Sequence, residues 1–223
     1  MRLSNARKDK NMKTKIYIVR HGQSAANAAA VIAGHTDPEL TELGVTQAGV
    51  TADALAAVHF DAIYSSDLKR AYGTAVPHAE LRGMKINTDK RFRELYMGDW
   101  ENTPVAECKE RWHDLYFGDW MNNFPAYRSP NGESVSELAE RFRLGIIDIA
   151  SRHPGETLLV ATHAGAIRAF WGKVIGEKDG VIVDVPFPTN ASYTVVECEG
   201  EKITPVEYSV DGHLEGMITA WKN

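Results

Sequence analysis

The sequence predicts an α/β fold: a mostly parallel sheet sandwiched between two layers of helices. Two observations predict it. Short apolar runs of strand length alternate with longer stretches of helical period, and a strand–helix–strand order buries both faces of a parallel sheet. In addition, two His-Gly sites, Arg20-His21-Gly22 and His163-Ala164-Gly165, each come directly after a strand-like run. In open α/β sheets the working residues gather at those carboxyl ends.

Taken in order, the run KIYIV at 15–19 is short, β-branched and bounded by polar residues, as a buried strand should be. Residues 61–64, TLLVA at 157–161 and SYTVVE at 192–197 have the same character. Thr41 can cap a helix reaching to about residue 57, and a second helix is expected over 67–80. The clearest helical signal covers 134–151, where Val135, Leu138, Phe142, Ile146 and Ile149 recur every three or four residues. A further helix is expected over 163–174. The stretch 96–128 breaks the alternation and is the expected insertion.

A chain of 223 residues with 43% hydrophobic and 25% charged residues can bury a real core. It holds no internal repeat and no Pro/Gly/Ser linker, so one domain over 13–223 is expected, preceded by a flexible tail at 1–12. A formal charge of −5 argues against nucleic-acid partners, which need a basic surface. An anionic ligand would be drawn to a local cluster of Arg and His. Cys108 and Cys198 are too few for a disulfide scaffold and too scattered for a zinc site. With no apolar segment at the start of the sequence, a cytoplasmic protein without membrane association is expected. The oligomeric state stays open.

At the two His-Gly sites the glycines allow sharp turns and close approach to a bound group. Arg20 adds a permanently charged planar donor suited to phosphate or carboxylate oxygens. Without neighbouring Cys or HExxH spacing, this is a poor metal site and a good phosphate site, so neither metal nor cofactor is expected.

These residues also carry a resemblance. Val19-Arg20-His21-Gly22-Gln23-Ser24, with Asn27 three residues on, resembles the signature of the histidine phosphatase superfamily. Gly34, Leu40-Thr41, Gly44 and Gln47-Ala48 resemble the family's stretch just after that signature. Ser65-Ser66-Asp67-Leu68-Lys69-Arg70-Ala71 resembles the second arginine motif, and Arg93-Glu94-Leu95 with Gly98 and Trp100-Glu101 the acid motif. Pro130-Asn131-Gly132-Glu133-Ser134, Thr162-His163-Ala164-Gly165 and Asn190-Ala191-Ser192 complete the family's order. The resemblance implies a phosphoglycerate mutase-like three-layer α/β/α fold and phosphoryl transfer through a phosphohistidine. It implies His21 as nucleophile and Glu94 as general acid and base. Arg20, Arg70, His163 and Asn27 would surround the phosphoryl oxygens.

Bland alternatives compete for some of these positions. Arg70 could lie on an exposed helix face, and Glu94 could simply pair with Arg91 or Arg93. Glu133 suits a helix start. His35 is close enough in sequence to the signature to touch substrate, whereas His59, His78, His113, His153 and His213 suit packing or solvated roles.

Mutases of the family carry a Ser or Thr before the glycine matching Gly34 and an arginine after the acid; this chain has Ala33 and Leu95. The expectation is therefore a hydrolase of a small phosphomonoester, in the small-phosphatase branch. The alternatives are a cofactor-dependent phosphoglycerate mutase and a module that only binds phosphorylated ligands. Tyr96, Trp100, Trp112, Tyr116, Phe117, Trp120, Phe124 and Tyr127 fill the insertion. They suit an aromatic cover over the site or packing against the body, and Gly118 argues against one unbroken helix there.

Overall fold

A computed structural model describes residues 12–178 and 181–218. The expected tail at 1–12 lies outside the described residues apart from Met12. The elements are β1 (Thr14–Arg20), α1 (Ala25–Ala28), α2 (Glu42–Ala54), β2 (Ala62–Ser65), α3 (Lys69–Glu80), β3 (Ile86–Thr88), α4 (Val105–Arg111) and α5 (His113–Leu115). They continue with α6 (Val135–Arg152), β4 (Thr157–Thr162), α7 (Ala164–Ile175), the small hairpin β5 (Glu177–Lys178) and β6 (Val181–Ile182), then β7 (Tyr193–Glu199) and β8 (Lys202–Val210).

Six strands form one sheet in the order β3-β2-β4-β1-β7-β8. The first four are mutually parallel, and β7 and β8 run antiparallel at one edge. Strand pleating sends successive side chains to opposite faces, and here each face meets its own core. Ile16, Ile18, Leu158 and Val160 pack with Phe142 and Ile146 of α6 and with Ile167 and Phe170 of α7. Val19, Ile63, Leu159 and Ala161 face the other way, against Ala75 and Ala79 of α3, and α2 packs on α3. Both faces are covered, so the central strands read as continuous apolar runs.

The caps match the sequence closely. Thr41 accepts a hydrogen bond from the Gly44 N–H at the start of α2. Ser134 and Glu137 form a reciprocal capping box at the start of α6. The buried stripe of α6 is Val135, Leu138, Ala139, Phe142, Ile146 and Ile149. Each large member contributes about 1.5–3 kcal/mol from removal of its side chain from water.

The insertion is packed as an aromatic cluster around fully buried Trp100. Ring centroids of Trp112, Tyr116, Trp120 and Tyr127 lie 5.8, 5.9, 6.0 and 5.3 Å from it. The helical path breaks at Trp112 (φ −125°, ψ 44°) and not at Gly118, which lies inside a π turn over Tyr116–Trp120. Trp112, at that break, packs its ring against Trp100. Among the described residues no helix is long and apolar enough to cross a membrane.

Candidate active site

The site lies at the carboxyl ends of β1 and β4, neighbours in the sheet. Their parallel register sets Arg20 beside Thr162, so His21 and His163 emerge side by side with ring centroids 5.2 Å apart. The His21 N–H donates to the Thr162 carbonyl at 2.8 Å, and the Asn190 amide donates to the His21 carbonyl at 3.0 Å. Gly22 is required by close approach: a Cβ there would lie 2.3 Å from the Gly44 carbonyl oxygen.

The His21 ring is held in one tautomer. Its Nδ1 sits 2.7 Å from the Gly22 carbonyl oxygen, which can only accept, so Nδ1 carries the hydrogen and Nε2 keeps its lone pair. Burial first, then the charges of Arg70 and Arg20, push the His21 pKa well below its ordinary value. The His163 ring is wholly buried, with Nε2 2.9 Å from Ser66 Oγ and Nδ1 without a partner. Its pKa is lowered by burial, then by Arg70 and His21.

Arg20 and Arg70 are buried at 3% and 1% exposure, and among the described residues neither forms an ion pair. Arg20 Nη1 donates to the Pro188 carbonyl at 2.5 Å, while its buried Nε has no partner. Arg70 donates to the carbonyls of Thr36 and Gly34, both at 2.8 Å. Burial pushes both pKa values down to about 10, against the pull of Glu94, so both guanidiniums stay charged at neutral pH. Arg91, Arg93, Arg141 and Arg168 all have carboxylate partners. Two buried cations with no ion-pair partner among the described residues suit an anion in the cleft they line.

Glu94 lines the same cleft. It does not pair with its neighbours, because Arg93 is bonded to Asp67 and Arg91 to Asp89 and Asp148. Its carboxylate caps the start of α7 instead: Oε2 accepts from Gly165 N at 3.1 Å, and Oε1 from Ala166 N at 3.0 Å and Leu95 N at 2.8 Å. His163 occupies the N-cap position of α7 without a side-chain cap bond, so the acid motif supplies the missing acceptor and is drawn to the helix's positive end.

Asn27 also lines the cleft, and its Oδ1 accepts from Ser24 N at 3.2 Å and from Asn190 Nδ2 at 3.2 Å. His35, the sequence candidate for a substrate contact, instead donates Nε2–H to the Glu94 carbonyl at 2.8 Å and is not part of the cleft wall. Glu133 pairs with Arg141, the structural role expected for it. Apart from Ser24 the rest of the wall is apolar, chiefly Val31, Ile32, Ala33, Leu95 and Met97, closed by Trp120 of the insertion and by Phe187. Sequence reasoning did not single out Phe187. Its only local signal is the run Pro186-Phe187-Pro188, a large apolar residue in a segment stiffened by flanking prolines. Among the described residues no group of three His, Cys, Asp or Glu could hold a metal ion.

Comparison with known proteins places the chain in a family. The family model described as the histidine phosphatase superfamily, branch 1, matches residues 16–211. Phosphoserine phosphatase 1 of Hydrogenobacter thermophilus is 30% identical over 90% of this chain and 94% of its own. Probable phosphoglycerate mutase GpmB of Yersinia pestis is 33% identical over 73% of this chain and 75% of its own. Among solved structures, a mycobacterial glucosyl-3-phosphoglycerate phosphatase complexed with VO3 superposes with a TM-score of 0.80 at 26% identity, covering 88% of this chain and 98% of that one.

Proposed function

The chain belongs to the histidine phosphatase superfamily, and we propose that within it this enzyme hydrolyses a small phosphomonoester through a phosphohistidine on His21. The observation that carries this reading is the fixed tautomer of His21, with a free Nε2 lone pair facing a cleft that holds two unpaired arginines. Nε2 attacks phosphorus, the bond to the leaving oxygen breaks, and Glu94 in its acid form gives that oxygen a proton. Water then attacks the phosphohistidine, Glu94 takes its proton, the P–N bond breaks and inorganic phosphate leaves. Arg20, Arg70, Asn27 and His163 stabilise the charge on the phosphoryl oxygens, with no metal or cofactor.

The leaving group meets an apolar wall. Ala33 and Leu95 line the cleft and offer a substrate carboxylate neither charge nor hydrogen bond, so the product departs before the phosphoryl group can return to it. A leaving group with an apolar or ring portion fits beside Trp120 and Phe187. The relatives named as mutases keep a second reading in view, and one assay separates the two. Hydrolysis of an aryl phosphate is expected in the presence of a chelator and without bisphosphoglycerate, with little interconversion of 2- and 3-phosphoglycerate. Bisphosphoglycerate-dependent mutase turnover with negligible phosphate release would overturn the hydrolase reading.

A further inference from the structure

Resting on the assignment of Glu94 as the acid, we propose that Arg141 is a positioning residue for Glu94, acting from the opposite side of the backbone to the cleft. Arg141 lies on α6 and is wholly consumed by the acid segment. A guanidinium has five N–H donors, and here all five have acceptors. Nε donates to Glu133 Oε1 and Nη2 to Glu133 Oε2, both at 2.8 Å. The second Nη2 hydrogen goes to the Glu94 carbonyl at 3.1 Å. The two on Nη1 go to the carbonyls of Arg91 at 2.7 Å and Arg93 at 3.2 Å.

Glu133 completes the frame by accepting from Tyr96 N at 3.3 Å. The acid is therefore gripped at its own carbonyl and at the backbone on both sides, at 91 and 93 before it and at 96 after it. His35 Nε2 adds a second donor to the Glu94 carbonyl. The far anchor is an 18-residue helix packed on the core, and the pair is only 22% and 15% exposed, so the grip is rigid.

Proton transfer to a leaving oxygen depends steeply on placement of the carboxyl group, and a shift of about 1 Å can cost on the order of 100-fold. Attack by His21 on an ester with a good leaving group needs no proton and no such placement. Arg141 therefore controls the rate for poor leaving groups selectively. Lysine keeps the charge opposite Glu133 but has three donors on one nitrogen and cannot bridge two carboxylate oxygens and three carbonyls.

The test compares kcat/KM for an alkyl phosphate and a dinitrophenyl phosphate, since this ratio reports transfer to His21 alone. Arg141→Lys is expected to lose about 10- to 100-fold on the alkyl ester and little on the dinitrophenyl ester. Added to Glu94→Gln, it should cause no further selective loss. Glu133→Gln, which keeps the shape of the pair, should show a weaker effect of the same sign and serves if Arg141→Lys fails to fold. Equal losses on both esters, or none, would overturn the positioning role. If Glu94→Gln itself shows no leaving-group selectivity, the fault lies in the acid assignment and not in Arg141.

Discussion

At the residue scale, the sequence motifs divide into side chains that line the cleft and residues that give them room. Arg20, His21, Asn27, Arg70, Glu94 and His163 were legible because each stands in a recognisable run, and the fold gathers all six around one place: five line the cleft and His163 is buried against His21. What was not legible is the support. In the sequence Arg141 is one more charge on an amphipathic helix, although it falls next to the buried stripe, between Leu138 and Phe142. Two of its five acceptors belong to Glu133, eight residues before it, but the other three are carbonyls of the distant segment 91–94, and no local pattern encodes those. Gly165 is a similar case, since a Cβ there would lie 2.6 Å from Glu94 Oε1, closer than real contacts allow. Gly165→Ala is thus expected to push the carboxylate off the α7 N-terminus. It should lower kcat/KM for alkyl phosphates by about 10-fold or more while sparing dinitrophenyl esters, a comparison that steady-state kinetics can make directly.

At the element scale, the expected helices and strands fall within about three residues of the observed ones, because caps and apolar runs mark them. β3 and β8 escaped notice for physical reasons: β3 has three residues, and β8 is an edge strand whose side chains are half-exposed or exposed throughout, so neither carries an apolar run. Helix α3 carries a consequence for stability. His78 is fully buried against Phe60 with both ring nitrogens unpartnered. Burial first, then Arg82 and His213, push its pKa down to about 3 from an ordinary 6.5. Above pH 6.5 neither folded nor unfolded chain protonates it, and stability is unaffected. Between 6.5 and about 3 only the unfolded chain takes the proton, so stability falls by up to about 1.4 kcal/mol per pH unit. Denaturant melts at several pH values should show that slope. His78→Leu, which keeps the site apolar, should reduce the slope by one proton's share, with the buried His21 and His163 still contributing theirs, and an unchanged slope would mean that His78 is protonated in the fold.

At the scale of the whole molecule, the alternating apolar runs were enough to foresee a three-layer α/β fold, because only that arrangement buries both faces of β1, β2 and β4. The antiparallel edge was beyond reach, since strand direction is set by the return path through the loop that carries Phe187 and Pro188. That same loop delivers the Pro188 carbonyl to Arg20. A chain of net charge −5 thus concentrates two buried, unpaired cations near the ends of its parallel strands, beside a histidine held with its Nε2 lone pair free. The most direct measurement of this arrangement is rapid quench of the enzyme with a labelled phosphomonoester. An acid-labile, base-stable phosphoenzyme should form within the first turnover and be absent from His21→Ala, whose turnover should fall by several orders of magnitude, on the order of the loss from other catalytic nucleophiles. A label that persists in His21→Ala, or turnover that survives without His21, would contradict covalent transfer through this histidine.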